Sequence, residues 1–248
     1  MAKLFIGCSG YSYHHWLGNF YPEHLAQKHW FAHYRSVFPT VELNVTFYRT
    51  PKPETFRHWY EETPADYAFA IKGSRYITHI KRLLGSEESL PRFFEPAMEL
   101  KEKLKVVLWQ FPPSFACDRD RFAGFLELLH AYPVRHVFEF RHQSWIGDEI
   151  VEICRKEKVG LCMADAPQFL HRLPVTADFV YLRRHGASGQ YFGEYTEEQL
   201  AEDADRIEGY LGEARDVFIY FNNDAGGAAP RNAVQLTALL QGRGVLLQ

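Results

Sequence analysis

A single (β/α)8 barrel of the TIM type is the fold class this sequence predicts, and three observations lead there. Short apolar runs alternate with helix-period stripes along the whole chain. Eight such runs fit within 248 residues, the size of one barrel of this kind. No GxGxxG follows the first run, which weighs against an open dinucleotide-binding sheet. No linker, repeat or low-complexity tract divides the chain, so one domain over residues 1–248 is expected.

The predicted strands are Lys3–Cys8, Thr40–Asn44, Tyr67–Lys72, Lys105–Gln110, His136–Phe140, Gly160–Ala164, Phe179–Leu182 and Asp216–Phe221. Helical stripes lie between them. Phe56, Trp59 and Tyr60 mark one. Phe93, Ala97, Leu100 and Leu104 keep a helical rhythm, as do Phe122, Phe125, Leu126 and Leu129, and then Ile150, Ile153 and Cys154. Thr196 with Gln199 is a capping box ahead of a helix ending near Leu211. Ala233 to Leu240 gives the last helix. Between Asp165 and Asp178, Asp-Ala-Pro and Leu-Pro predict an irregular crossover in place of a helix.

Composition narrows the function classes. The net charge of −3 gives no general basic coat, although a local basic cleft is compatible with it. With 20 Phe, 14 Tyr and 5 Trp the chain has ample material for a core. No apolar run nears the roughly 18 residues a membrane span needs, and the opening Met-Ala-Lys-Leu-Phe-Ile-Gly reads as a strand rather than a signal peptide. The 4 cysteines are scattered with no CxxC, so a reducing, cytoplasmic setting is expected.

The candidate site follows from strand alternation. In the second strand Val41, Leu43 and Val45 would pack on helices, which turns Glu42 and Asn44 inward. In the third, Ala68, Ala70 and Lys72 face in. In the fifth, Val137, Glu139 and Arg141 do so. Tyr181, Arg183 and His185 share a face of the seventh. Gln110 closes the fourth, Asp165 follows the sixth, and Asn222 and Asn223 close the eighth. Barrel enzymes place their chemistry at these C-terminal strand ends, and burying so many charges for stability alone is costly. The competing reading is a layer of internal ion pairs, Lys72, Arg141 and Arg183 against Glu42, Glu139 and Asp165. Asn44 and Gln110 have the simpler alternative of satisfying loop backbone.

Two glycine-containing loops suggest an anion site. They are His185-Gly186-Ala187-Ser188-Gly189 and Asn222-Asn223-Asp224-Ala225-Gly226-Gly227, the latter opening a helix with Arg231 in it. Arg183 and Arg231 would add charge there; plain turn chemistry is the alternative. Tyr11, Tyr13, Trp16, Phe47, Tyr48 and Trp145 fall in loops at the same ends, either to stack a base or sugar or to pack as a hydrophobic lid. Glu42, Glu139, Asp165 and His185 are the residues on which a divalent ion would converge, but three cations share that rim and no HExxH or CxxC occurs. No metal or other cofactor is therefore expected. Cys8 reads as a small buried residue rather than a nucleophile.

Motifs along almost the whole chain resemble the YecE-like family, which carries a domain-of-unknown-function label. They are Gly7-Cys8-Ser9-Gly10-Tyr11, Tyr13-x-x-Trp16, Phe20-Tyr21-Pro22, Val41-Glu42-x-Asn44-x-Thr46-Phe47-Tyr48, Phe69-Ala70-x-Lys72, Ile77-Thr78-His79, Gln110-Phe111-Pro112-Pro113, Glu139-x-Arg141-His142-x-Ser144-Trp145, Arg183-x-His185-Gly186 and Phe221-Asn222-Asn223-Asp224. The family pattern has Thr and Trp where this chain has Cys8 and Tyr11. The resemblance implies a TIM-like barrel and supplies no reaction. Similar barrels include endonuclease-IV-like and xylose-isomerase-like enzymes, a likeness of fold that points toward phosphodiester or sugar chemistry.

The expectation is thus an enzyme acting on a small anionic substrate such as a sugar phosphate or nucleotide. Lys72, Arg141 and Arg183 would hold the anion, Glu139 or Asp165 would act as base, and Glu42 or His185 as acid. Asn44, Gln110, Asn222, Asn223, Trp16, Tyr48, Gly226, Gly227 and Arg231 would complete the binding surface. The alternatives are a nucleic-acid-binding or phosphodiester-processing protein, with metal assistance, and a non-catalytic ligand-binding barrel. The sequence sets no oligomeric state.

Overall fold

The computed structural model describes residues 2–165, 173–186 and 191–245. Its strands are β1 (Leu4–Cys8), β2 (Thr40–Leu43), β3 (Ala68–Lys72), β4 (Leu104–Gln110), β5 (Arg135–Glu139), β6 (Gly160–Ala164), β7 (Phe179–Arg184) and β8 (Asp216–Phe221). They follow the order β1-β8-β7-β6-β5-β4-β3-β2, so from β2 to β8 each strand neighbours the next in sequence and β8 neighbours β1, which is the strand order of a (β/α)8 barrel. The helices are α1 (Trp30–Val37), α2 (Val45–Tyr48), α3 (Pro53–Glu61), α4 (Ser86–Ala97), α5 (Arg119–Leu129), α6 (Asp148–Lys156), α7 (Glu197–Gly212) and α8 (Ala228–Gly242). The chain falls into two compact units, one of residues 1–42, 163–172 and 178–248, the other of residues 43–162 and 173–177. No helix among the described residues is long and apolar enough to cross a membrane.

In the first unit β8 lies between β1 and β7, in parallel registers that pair Leu4 with Val217 and Phe179 with Asp216. Gly7 is required in β1. A Cβ there would sit 2.4 Å from the Thr40 carbonyl oxygen and 3.0 Å from the Tyr34 hydroxyl. That hydroxyl accepts the Cys8 N–H at 2.7 Å and donates to the Thr40 carbonyl at 3.0 Å, tying α1 to two strands. Trp16, Phe20 and Phe38 pack around the Tyr34 ring, and Tyr21 packs on Trp16. α7 carries the complete Thr196/Gln199 capping box.

In the second unit β3, β4, β5 and β6 pair in sequence, all parallel. Here Gly73 lies so close to Trp109 that a Cβ would approach its ring to 2.2 Å. The outward face of β5 meets the buried face of α5 through Phe138, Phe122 and Phe125, and Phe140, just past the strand, packs on Phe122 with Trp145 stacked on it at 4.9 Å. Lys103 is buried yet satisfied: its Nζ donates to the carbonyls of Tyr60 at 2.6 Å and Thr63 at 2.7 Å.

The structure corrects several boundaries. The rhythm from Phe93 to Leu104 is not one helix. α4 stops at Ala97, a 3-10 turn covers Met98–Lys103, and Lys101, at φ +48°, breaks the helical path before Leu104 opens β4. Val45 belongs to α2 and not to β2, because Asn44 adopts αR backbone angles. The Ala233–Leu240 stripe lies within a longer last helix, Ala228–Gly242, which opens directly after the Gly226-Gly227 loop as expected, and α1 had no counterpart among the expected helices. The described part of the crossover, residues 173–178, contains no helix; residues 166–172 lie outside the described residues.

His136 links fold to pH. It is 7% exposed, and its Nδ1 accepts the Trp109 indole N–H at 3.2 Å. Nε2 therefore carries the proton and points it at the Tyr132 carbonyl. Burial lowers its pKa to about 4. Between that value and the ordinary one the unfolded chain binds the extra proton, so stability rises with pH across that window and is lost as pH falls through it. Denaturant unfolding should show this residue alone removing about 1.6 kcal/mol between pH 6.5 and pH 5. NMR titration of His136 with a midpoint near 6.5 would contradict it.

Candidate functional site

Each unit gathers polar side chains where its strands end. In the first unit the centre is Glu42, 0% exposed, with Arg183 at 1%. Arg183 clamps the carboxylate with both branches of its fork: Nη2 donates to Oε1 at 2.8 Å and Nε to Oε2 at 3.0 Å. The Tyr181 hydroxyl donates to Oε2 at 2.6 Å, and Ser9 Oγ donates to Oε1. Alternation of β7 explains the set, since Tyr181 and Arg183 lie on one face. His185 continues that face beyond the strand. Its Nε2 lies 3.4 Å from Arg183 Nη1 and its Nδ1 3.1 Å from Asn222 Nδ2. Burial beside Glu42 raises the Tyr181 hydroxyl well above the usual phenol range.

Asp165 is used twice on the same side of the unit. Oδ1 accepts the His185 backbone N–H at 2.7 Å, and Oδ2 accepts from the Tyr195 hydroxyl, which itself accepts the Gly186 N–H at 2.6 Å. Asp165 thereby fixes the turn after β7. Gly186 is needed there. Its φ is +104°, and a Cβ would lie 2.3 Å from the Phe192 carbonyl oxygen. Asn223 is fully buried and donates to the Gly193 carbonyl and to Asn232 Oδ1, both at 2.9 Å.

The expected anion site between the last two loops meets three obstacles. Arg183 is committed to Glu42. Arg231 pairs with Glu194 and caps the Gly226 carbonyl at 3.1 Å. The half-buried Asp224, its carboxyl pushed up by burial, adds a carboxylate beside the two glycines. Gly226 and Gly227 do have positive φ, +65° and +72°, and they serve the turn into α8. Ala187, Ser188 and Gly189 lie outside the described residues.

In the second unit Glu139, 1% exposed, receives two donors at Oε1: Gln110 Nε2 at 2.8 Å and Arg141 Nε at 2.8 Å. Lys72 ends β3 with its Nζ 4.2 Å from the centre of the Phe47 ring. Thr46 Oγ1 donates to the Lys72 carbonyl at 2.6 Å, holding α2 against the strand end. Phe47 meets His79 edge-to-face at 4.9 Å. His79 sits in a short π-helical turn, Tyr76–Ile80. Burial first, then Lys72, Arg141 and Arg75, lower its pKa to about 4, with Glu139 opposing. Asn44 leaves a buried Oδ1 without a hydrogen-bond partner.

Two of the ion pairs proposed for an internal layer are therefore present, Arg183–Glu42 and Arg141–Glu139. The aromatics divide. Trp16 and Trp145 are buried at 0% and 1% and support the loops from beneath instead of lining a site; Tyr48 is 77% exposed. Trp16 is fixed by packing and by the Asp224 carbonyl at 3.4 Å. Cys8 is buried with its thiol pushed up, as a packing residue would be. Among the described residues no group of three or more His, Cys, Asp or Glu side chains is arranged to hold a metal ion. The strand pattern did not reveal Tyr195 or His79. Both lie in segments outside the strands, and only the Ile77-Thr78-His79 motif pointed at the second.

Truncating one partner of a buried ion pair strands the other charge, at a cost of about 3–5 kcal/mol. Glu42→Gln should accordingly lower the melting temperature by roughly 10 °C, taking about 2–4 °C per kcal/mol at this chain size. An unchanged melting temperature would show that Arg183 does not rely on Glu42.

The chain is similar over 96% of its length to the UPF0759 protein YunF of Bacillus subtilis (strain 168), at 26% identity and with 94% of that protein covered. It is 30% identical over 82 residues to the UPF0759 protein YecE of Escherichia coli (strain K12), which is 33% of this chain and 30% of that one. A crystal structure of a DUF72 family protein from Thermotoga maritima MSB8 superposes with a TM-score of 0.83 at 32% identity, covering 96% of this chain and 99% of the other. One from Enterococcus faecalis V583, at 22% identity with 96% of each chain covered and a TM-score of 0.82, shares the fold. The model of the family described as "Protein of unknown function DUF72" matches residues 5–247, and the chain belongs to that family.

Proposed function

We propose that the protein is an enzyme that binds a small anionic substrate where β3 and β5 end and uses His79 to move a proton. One observation carries this reading: a half-buried imidazole held neutral by burial among Lys72, Arg141 and Arg75. Thr78 Oγ1 contacts both the Ser74 carbonyl at 3.1 Å and His79 Nδ1 at 2.9 Å. When Thr78 gives its one hydroxyl proton to that carbonyl, Oγ1 accepts from His79, which is the tautomer with the hydrogen on Nδ1 and the lone pair on Nε2 that this reading requires. A neutral imidazole with an available lone pair is the form a general base requires at pH 7.

Lys72 and Arg141 supply the charge for an anionic group such as a phosphate or carboxylate. Glu139 orients Arg141 by holding its Nε, and Gln110 shares the same oxygen. Glu139 thus acts as a positioning residue, and the base role passes to His79. Arg183, expected to bind the anion as well, is left to Glu42. The same chemistry suits a hydrolase or an isomerase or lyase, and a sugar phosphate or nucleotide would supply the anionic group.

An anion placed beside His79 offsets the cations that depress its pKa, so binding must raise that pKa and draw in a proton. Inorganic phosphate should bind saturably by calorimetry, more tightly at pH 5 than at pH 7, and NMR should show His79 titrating above about 4 in its presence. Lys72→Met should weaken binding by about tenfold or more, the value of one charge-assisted hydrogen bond, while the melting temperature stays within a few degrees. Sulfate stabilises proteins by exclusion alone, so only the saturable part counts. Neither phosphate nor a sugar phosphate binding saturably, or a His79 titration indifferent to both, would overturn the reading.

A further inference from the structure

Charge is segregated along this chain in a way its net value of −3 conceals. Residues 44–53 hold Arg49 and Lys52 and no carboxylate, and residues 67–86 hold Lys72, Arg75, Lys81 and Arg82 and no carboxylate; the next acids along the chain are Glu54 and Glu87. Both segments belong to the second unit and follow β2 and β3. They also meet. Phe47 touches Tyr48 at 5.0 Å on one side and His79 at 4.9 Å on the other, so α2 and the π-helical turn abut.

The residues these segments turn outward are unusual for a surface. Tyr48 is 77% exposed and Tyr76 48%, and Arg49, Lys52, Arg75 and Lys81 are exposed as well. Among the described residues none of these four cations lies within ion-pair distance of a carboxylate. Lys81 Nζ stands 5.7 Å from the Tyr76 ring centre, which presents ring and ammonium together. Twice an exposed ring is followed or preceded by a guanidinium, in Tyr48-Arg49 and Arg75-Tyr76.

From this we infer that the surface formed by α2 and the Tyr76–Ile80 turn docks single-stranded nucleic acid. A single strand offers what the surface lacks: a repeating phosphate charge and flat bases with open faces. The two tyrosines supply stacking platforms of the kind that every base can use, and the cations beside them supply phosphate contacts. Charge complementarity favours a polyanion. The pairing of each ring with a guanidinium favours a strand with bases over a lipid surface, although Ile80 and Leu84, exposed at 61% and 55%, border the patch. This docking role stands apart from phosphate binding at Lys72 and Arg141, and either can fail alone.

Fluorescence anisotropy with a fluorescein-labelled oligo-dT of about 20 nucleotides tests it on the full chain. Saturable binding is expected at 50 mM NaCl, with a log–log salt slope of about −3 if the four exposed cations each neutralise a phosphate at roughly −0.7 apiece. Tyr48→Ala and Tyr76→Ala should each weaken binding by about tenfold, within the range of one base stack. The double variant Arg75→Glu, Lys81→Glu should abolish it. All four side chains are exposed, so unchanged melting temperatures will certify that the variants fold. Several results would overturn the inference: no binding at 50 mM NaCl, binding indifferent to these substitutions, equal binding of a duplex of the same length, or equal binding to poly-glutamate. Avid binding to phosphatidylserine vesicles without binding to the oligonucleotide would identify a membrane surface and overturn it too.

Discussion

The buried clamp of Arg183 on Glu42 is the constraint around which the first unit arranges its strand ends. A carboxylate with no exposure is tolerable only when every lone pair finds a donor. Arg183, Tyr181 and Ser9 supply those donors from the end of β7 and the turn after β1. The consequences spread along β7. Holding Arg183 in place sets the position of His185, and the turn beyond it is then fixed by Asp165 and Tyr195 through backbone N–H groups. An arginine read from the sequence as a ligand for an anion is, in the folded chain, the counter-ion of an internal carboxylate.

The second unit solves a related problem with different chemistry. Glu139 is buried and paired, but Lys72 rests on an aromatic face, and burial together with the nearby cations keeps His79 neutral. Neutralising a histidine costs little at pH 7, where its unperturbed form is already largely deprotonated. The arrangement therefore leaves a lone pair and positive charge side by side. That combination suits proton transfer on an anionic molecule, because the incoming charge raises the basicity of the group that must take the proton.

Outside these networks the surface of the same unit has a distinct character. Loops after β2 and β3 concentrate cations and exposed tyrosines, while carboxylates gather on helices such as α7. Long-range attraction from such a patch reaches about 8–10 Å at ordinary ionic strength. A polyanion would thus be drawn to one place on a chain whose overall charge is slightly negative.

Much of the fold was legible in the residues. Period-2 apolar runs placed all eight strands within two residues of their observed ends, because a strand buried between helices has to be apolar and its turns have to be polar. The same alternation put Glu42 and Arg183 inward, and Glu139 and Arg141 likewise. What it could not decide was who pairs with whom. Arg183 and Glu42 are 141 positions apart, and only the folded chain brings them to 2.8 Å. Burial is equally invisible locally: Trp16 and Tyr48 both read as loop aromatics, yet one is sealed under Tyr13, Phe20 and Tyr34 and the other stands in solvent. His79 shows the limit most clearly. Its residue type was written in the chain, but its lowered pKa comes from the burial and the cations that tertiary structure places around it, since a pKa belongs to an environment and not to a sequence.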